Sequence, residues 1–366
     1  MKRKLFFRVS LLSLLLLVQC KIGQKSSEYY NLDDFYKLTK IDSHCHVFSK
    51  NTAFVEQAMK DNFEIISIMF DEKERFSIEQ QLEMTLVQRQ LFPKDLSFVT
   101  SFTMQDWEDE DWQEKTISHL KRTIEQGAVG MKIWKNIGMV EKDSMGNFIM
   151  IDNPIFDPIF TLLEENNIPV IGHIGEPRNC WLPLDSMTTN SDRRYYKSHP
   201  QYHMYLHPEY PSYEQIMDAR NRMLKKHPNL KFIGAHLASV EWNLDELSKL
   251  LDEYPNLWLG TAARICHLQY HAQKDLKKVR DFMQKYQNRI LYGTDLDDYG
   301  KTNVSPDELK EHIHSIWFND WKFLTTDETL TAKEIDGEFS GLKLPKKVID
   351  KIYYKNAKKL FQGIPD

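Results

Sequence analysis

Two histidines one residue apart, His44 and His46, lie in the stretch Ile41-Asp42-Ser43-His44-Cys45-His46. Side chains alternate along an extended strand, so both imidazoles project to one side while Cys45 points away. Two imidazoles so placed can hold one metal ion, although a lone His-x-His pair is a weak pattern. Three further residues give it weight. His173 closes the run Val170-Ile171-Gly172-His173, His236 closes Phe232-Ile233-Gly234-Ala235-His236, and Asp295 closes Leu291-Tyr292-Gly293-Thr294-Asp295. Each alone reads equally as a hydrogen-bonded buried side chain. Together, at the same end of successive short apolar runs, they read as one pocket. Neutral imidazoles with one carboxylate suit Zn²⁺, and Mn²⁺ or Fe²⁺ are compatible. A metal with an open position lowers the pKa of its water towards about 7 and polarises a carbonyl oxygen.

Those side chains need a scaffold that brings strand ends together. Strand candidates are 40–46, 64–70, 96–102, 129–134, 169–174, 231–236, 257–262 and 289–295. Segments with apolar residues at helical spacing separate them, among them 110–126, 153–166, 213–226, 244–254 and 275–286. Apolar strands joined by helices indicate a parallel sheet covered on both faces. The repeated unit predicts an α/β chain folded as a (β/α)₈ TIM barrel, with long loops after strands 5 and 8. The first, 176–212, is rich in Trp, Tyr, Arg and His; the second, 296–343, reads as a polar excursion before a final helix around 345–361. Both follow strands, which puts them on the face where barrel active sites sit.

At 366 residues the chain can bury a large core, and 41% hydrophobic with 12% aromatic residues fits a globular protein. A formal net charge of -5 shows no basic excess, so no nucleic-acid partner is expected. Lys2, Arg3, Lys4 and Arg8 precede an apolar run at 11–18 and then Cys20. That run is shorter than the roughly 20 residues of a spanning helix and has the layout of an export signal. Leu17-Val18-Gln19-Cys20 resembles a bacterial lipobox, which implies cleavage before Cys20 and its lipidation, although Gln19 stands where a small residue is usual. A plain secretory signal or an uncleaved anchor is the alternative. The expected organisation is a signal peptide at 1–19, a tether and lead-in at 20–39, and one metal-dependent barrel domain at 40–366. The expected location is exported, with contact to a bacterial membrane only through the lipid anchor. Cys45, Cys180 and Cys266 are too few and too scattered for a disulfide framework. A homo-oligomer is compatible with the sequence.

The segments IDSHCH, GMKIWK, PVIGHIGEP, HPNLKFIGAHLAS, YPNLWLGTAAR, NRILYGTD and YKNAKKLF, in order from Ile41 to Phe361, carry a resemblance. The chain resembles the amidohydrolase superfamily, in the amidohydrolase-related branch that includes aminocarboxymuconate-semialdehyde decarboxylase-like enzymes. The resemblance implies that His44, His46, His173 and Asp295 are metal ligands, with Asp295 and His236 catalytic. Asp295 would take a proton from water and pass it to the leaving group, while His236 would contact the bound water or the substrate carbonyl. Lys132 matches the lysine that is carboxylated and bridges two metals in binuclear members; alternatively it pairs with a substrate carboxylate or with Glu176. One divalent metal is usual in this branch, with Zn²⁺ first.

Glu176, Arg178, Arg264 and Arg193 are candidate substrate-binding residues, with Arg194 and His199 nearby in sequence. An arginine at a pocket mouth would grip a carboxylate or phosphate, and a structural ion pair is the alternative for each. The implied activity is hydrolysis of a small-molecule amide, ester or lactone by metal-activated water. Metal-dependent decarboxylation or hydration of a carboxylated substrate is the second expectation, and an inactive exported metal-binding lipoprotein the third.

Overall fold

A computed structural model describes residues 27–72, 75–300 and 303–365. The signal segment and Cys20 lie outside the described residues. Strands β1 (Lys40–Val47), β2 (Phe63–Ile68), β3 (Leu96–Ser101), β4 (Ala128–Ile133), β5 (Val170–Gly172), β6 (Phe232–Gly234), β7 (Leu257–Gly260), β8 (Ile290–Leu291) and β9 (Leu296–Asp298) form one sheet. Every neighbouring pair is parallel. The sheet order runs β8-β7-β6-β5-β4-β3-β2-β1-β9. Its two end strands are consecutive in the chain, joined through Tyr292-Gly293-Thr294-Asp295. That joint meets β1 as well: Ser43 N–H donates to Tyr292 O at 3.0 Å, and Asp295 N–H to His44 O at 2.7 Å. The eighth strand position therefore touches β7 on one side and β1 on the other, and the structure is a TIM barrel.

Helices follow the strands as the apolar spacing predicts: Trp112–Glu125, Asp157–Glu165, Tyr213–Lys226 and Leu244–Glu253 all fall within or on the expected segments. The expected helix at 275–286 is the second half of a longer one, Ile265–Lys285, broken at Asp275 where φ is -154° and ψ 86°. Ahead of β1, the short 3₁₀ helix Leu32–Tyr36 sinks Phe35 completely, so the later part of the lead-in packs against the barrel.

The stretch after the eighth strand differs from its sequence-based reading. It is built around the helix Pro306–Thr325, with a hairpin of β10 (Thr329–Thr331) and β11 (Glu338–Ser340) behind it. Ile313, Trp317, Trp321 and Leu324 recur three or four residues apart and are all completely buried. Burying an indole removes roughly 150–250 Å² from water, about 4–6 kcal/mol of transfer free energy each before entropy is charged. This is the covering helix of the eighth unit and not an excursion. The stretch after β5, in contrast, holds only short turns of helix, of which Asn190–Ser198 is the longest. Among the described residues no helix is long and apolar enough to cross a membrane.

Candidate metal centre

β1 carries the first part of the site. His46 Nδ1 donates to Ile68 O on β2 at 2.6 Å; a carbonyl only accepts, so the proton sits on Nδ1 and Nε2 bears the lone pair. That Nε2 lies 3.2 Å from Asp295 Oδ1. His44 Nε2 lies 3.3 Å from the same oxygen and 3.2 Å from Lys132 Nζ on β4. The β1–β2 register slips between Asp42 and Cys45, the kind of irregularity that re-aims side chains next to a site. Asp42, on the same alternation as the two histidines, is buried behind them. It accepts from His44 N at 3.1 Å, Thr294 N at 3.1 Å, Thr294 Oγ1 at 2.5 Å and Trp317 Nε1 at 2.9 Å. Burial pushes its carboxyl up to about 6 against the pull of those donors.

The other side chains come from turns just past the strands. β5 ends one residue before His173 and β6 two before His236, while Asp295 sits between β8 and β9. His236, Leu237, Ala238 and Ser239 have φ of 58°, 54°, 55° and 55°. A left-handed conformation costs an L-residue roughly 1–2 kcal/mol, so four in succession must be held in place. Ser239 Oγ donates to Ile174 O at 3.0 Å, Tyr213 OH donates to Ser239 O at 2.5 Å, and the buried Arg220 guanidinium donates to Ala238 O. The turn folds back so closely that a Cβ at Gly234 would sit 2.5 Å from Ala238 Cβ. His236 Nδ1 donates to Ala262 O at 2.9 Å, and its Nε2 meets His173 Nδ1 at 3.1 Å. Asp295 is also left-handed, with φ of 69°. Beside it Gly293 leaves no room for a side chain, since a Cβ there would lie 2.8 Å from His44 Cβ.

Burial sets the charge states. Desolvation, reinforced by nearby cations, holds the His44 and His236 imidazoles well below their ordinary range, and burial takes His173 down to about 4. Burial alone would raise Asp295, but the surrounding imidazoles hold it well below the usual carboxylate range. Burial brings Lys132 down to about 7, with Asp295 opposing. Neutral imidazoles and an ionised carboxylate are the forms that bind a divalent metal. Ligand atoms of His44, His236 and Asp295 all lie within 4.8 Å of one another. Those three fit such an ion; His46 Nε2 reaches the same Asp295 oxygen, while His173 lies outside the group and meets it through His236. Asp295 is the most open of the three, its side chain 32% exposed at the rim. A cavity of about 650 Å³ opens beside it, lined also by Lys50, Tyr299 and His312.

A family model described as Amidohydrolase matches residues 101–363. This chain belongs to the amidohydrolase family. The matched span contains Lys132, His173, His236 and Asp295, while β1 with His44 and His46 precedes it. No curated protein matches the amidohydrolase in sequence. Among solved structures, an uncharacterised TIM-barrel protein from Bordetella bronchiseptica is 15% identical, covering 88% of this chain and 98% of its own at a TM-score of 0.51. A 2,6-dihydroxybenzoate decarboxylase from Rhizobium is 17% identical over 88% and 98%, with a TM-score of 0.48. A 4-oxalomesaconate hydratase from Rhodopseudomonas palustris is 11% identical over 88% and 95%, with a TM-score of 0.46. The family assignment makes the chain an enzyme of the amidohydrolase class.

The remaining candidates divide in two. Lys132 and Glu176 join the histidines: Glu176 is buried, ion-paired with Lys135, and has Oε2 3.8 Å from His173 Nε2. Arg264 is buried behind His236; burial opposes its charge, but Asp192 and Glu241 hold it strongly protonated. Arg178 turns away to Glu214 and stacks on Tyr213 at 4.6 Å. Arg193 knits its own loop, donating to Leu184 O at 3.3 Å, Asn190 Oδ1 at 2.6 Å and Met187 O at 2.7 Å. Arg194 reaches Lys333 O at 3.1 Å, and His199 stacks on Tyr195 at 4.6 Å. Sequence reasoning missed Asp42 and Lys135. The strand alternation that selected His44 and His46 also selects Asp42, and Lys135 stands within the GMKIWK segment.

Proposed function

We propose that this amidohydrolase hydrolyses an amide, ester or lactone of a small molecule, using one divalent metal held by His44, His46, His173 and Asp295. Zn²⁺ is the first choice for such a donor set. The observation that carries the reading is the convergence of imidazole edges on the single ionised oxygen Asp295 Oδ1, 3.2 Å from His46 and 3.3 Å from His44. When bound, the ion supplies Lewis acidity, polarising a carbonyl and lowering the pKa of a water it coordinates. Asp295, ionised and at the rim, accepts the attacking water's proton and returns it to the leaving group. Asp42 fixes the His44 backbone N–H, and Lys132 Nζ lies against its ring at Nε2. His236 gives its Nδ1 proton to Ala262 O, which leaves a lone pair on Nε2. In that neutral form it suits holding the metal or accepting from water, whereas donation to an oxyanion requires the protonated ring.

A second reading, decarboxylation or hydration of a carboxylated substrate, has Lys132 in its favour. Lys132 is buried against His44 and feels the charge of Asp295 without a direct ion pair among the described residues, so a substrate carboxylate would give it a direct partner. Elemental analysis of the purified chain, followed by ester, lactone and amide panels beside CO₂ release from carboxylic acids, separates the readings. One ion per chain with hydrolysis supports the first, and CO₂ release the second. Two ions per chain would make Lys132 a carboxylated bridge. No metal and no turnover after added Zn²⁺ or Mn²⁺ would leave an inactive lipoprotein. The same proposal places the enzyme outside the cytoplasm on a lipidated Cys20, which radiolabelled palmitate incorporation, lost in Cys20→Ala, would test.

A further inference from the structure

His173 faces two neighbours with its two nitrogens. Nδ1 lies 3.1 Å from His236 Nε2, which bears a lone pair because His236 has committed its proton to Ala262 O. Nε2 is buried, makes no hydrogen bond, and faces Glu176 Oε2 at 3.8 Å. The neutral ring therefore has two forms. With the proton on Nδ1 it donates to His236, closes off the nitrogen facing the cluster, and turns a bare lone pair on the Glu176 carboxylate. With the proton on Nε2 the N–H faces the carboxylate and Nδ1 offers its lone pair to the cluster. The 3.1 Å contact with a lone pair on His236 holds the proton on Nδ1 while nothing lies between the rings; a cation that takes Nδ1 requires the second form, whose Nε2–H faces a carboxylate that only accepts.

Glu176 is itself fixed. Its other oxygen, Oε1, is tied to Lys135 Nζ, which comes from the turn after β4, and the left-handed Gly175 (φ 73°) swings Glu176 back towards His173. Burial leaves Glu176 without solvent to compete for it. We propose that Glu176, braced by Lys135, is a positioning residue that faces and stabilises the His173 Nε2–H when Nδ1 turns its lone pair to the metal. The inference rests on the metal reading proposed above. Metal-bound histidines commonly give their outer N–H to a carboxylate, and loss of such partners costs roughly 10–100-fold in metal affinity.

The test uses the full chain treated with a chelator and then titrated with Zn²⁺ against a chromogenic competitor. ¹⁵N-histidine NMR of the chelated and of the Zn²⁺-loaded protein reads the tautomer of His173, assigned with His173→Asn; the proton should move from Nδ1 to Nε2 on loading. Glu176→Leu should weaken Zn²⁺ binding about 10–100-fold, while the chelated variant keeps the His173 proton on Nδ1 as the wild type does. That variant strands Lys135, so Glu176→Leu with Lys135→Met provides the variant with no orphaned charge. If Glu176 served only to neutralise Lys135, the double variant would recover wild-type affinity; the proposal expects the same weak binding, with the melting temperature of the chelated chain unchanged. Wild-type Zn²⁺ binding together with wild-type affinity in Glu176→Leu, or recovery in the double variant, overturns this inference alone. A wild-type chain that binds no Zn²⁺ overturns the metal reading with it.

Discussion

The side chains of the proposed metal centre and the long loop after β5 share one mouth of the barrel but are held by different means. His46 and His236 each spend one ring nitrogen on a main-chain carbonyl of the adjacent barrel segment, Ile68 O at 2.6 Å and Ala262 O at 2.9 Å. Their directions are therefore tied to the sheet. In the loop, Arg193 bonds only to residues of the same loop, and Arg178 pairs with the exposed Glu214. Beyond Glu176 the loop can change its sequence without moving a ligand side chain, and those side chains cannot move without disturbing the sheet. This is the arrangement expected where the scaffold fixes chemistry and the loops select substrates.

The strongest way to break the comparison is at Asp295. Asp295→Asn keeps the size and the left-handed backbone position but removes the ionised oxygen shared by His44 and His46. Turnover on whichever panel substrate the wild type accepts should fall about 10²–10⁴-fold. The unfolding transition should stay cooperative. Activity within a few-fold of wild type would remove Asp295 from the chemistry.

Next is the left-handed turn. Gly234→Ala places a methyl 2.5 Å from Ala238 Cβ and 2.9 Å from Ala238 Cα, so the turn bearing His236 must shift. Overpacking of this kind costs about 1–3 kcal/mol, read as a lower denaturant midpoint, and metal affinity should fall with it. Loss of stability with unaltered metal binding would show that His236 does not depend on the turn.

Legibility in the sequence divides along the same line. β1 and the apolar runs ending near His173, His236 and Asp295 were readable because alternation and strand-helix succession are local patterns. The turn His236-Leu237-Ala238-Ser239 was not, since none of its residues favours a positive φ and it is imposed by Tyr213, Arg220 and Ile174 from elsewhere in the chain. Lys135 and Glu176 meet only because the turns after β4 and β5 converge, which leaves no local spacing to detect. The helix Pro306–Thr325 was legible and was passed over: Ser305 and Glu308 form a capping box with Pro306 at the first turn, ahead of Ile313, Trp317 and Trp321. Its many charged residues, all but Asp320 exposed or half-buried, masked the buried face.

A smaller effect should appear at Asp320, behind the site. It accepts from Tyr292 OH at 2.8 Å, and burial pushes its carboxyl from 3.8 to about 7. Between those values the folded chain binds the proton that the unfolded chain releases, so this group's contribution falls as pH rises through the window. Asp320→Asn keeps an acceptor for Tyr292 and removes the titration. Each pKa unit is worth about 1.4 kcal/mol, so even a quarter of the displacement gives a gain of about 1 kcal/mol at pH 8, fading towards pH 4. Denaturant midpoints across that range check it; an equal effect at both ends would mean that Asp320 does not titrate with unfolding.

The smallest effect is expected at Arg178, where the loop side of the comparison is sharpest. Its guanidinium lies over Tyr213 at 4.6 Å and pairs with Glu214, whose side chain is 61% exposed. An exposed pair of this sort contributes about 0–1 kcal/mol. Arg178→Ala should leave Zn²⁺ affinity unchanged, stability within about 1 kcal/mol of wild type, and KM within a factor of about two. A tenfold rise in KM with kcat unchanged would mean that the side chain swings inward to bind substrate, returning Arg178 to the anion-gripping role that its place after β5 suggests. Unchanged kinetics leave the recognition of substrate to groups that already face the cluster, Lys132 foremost.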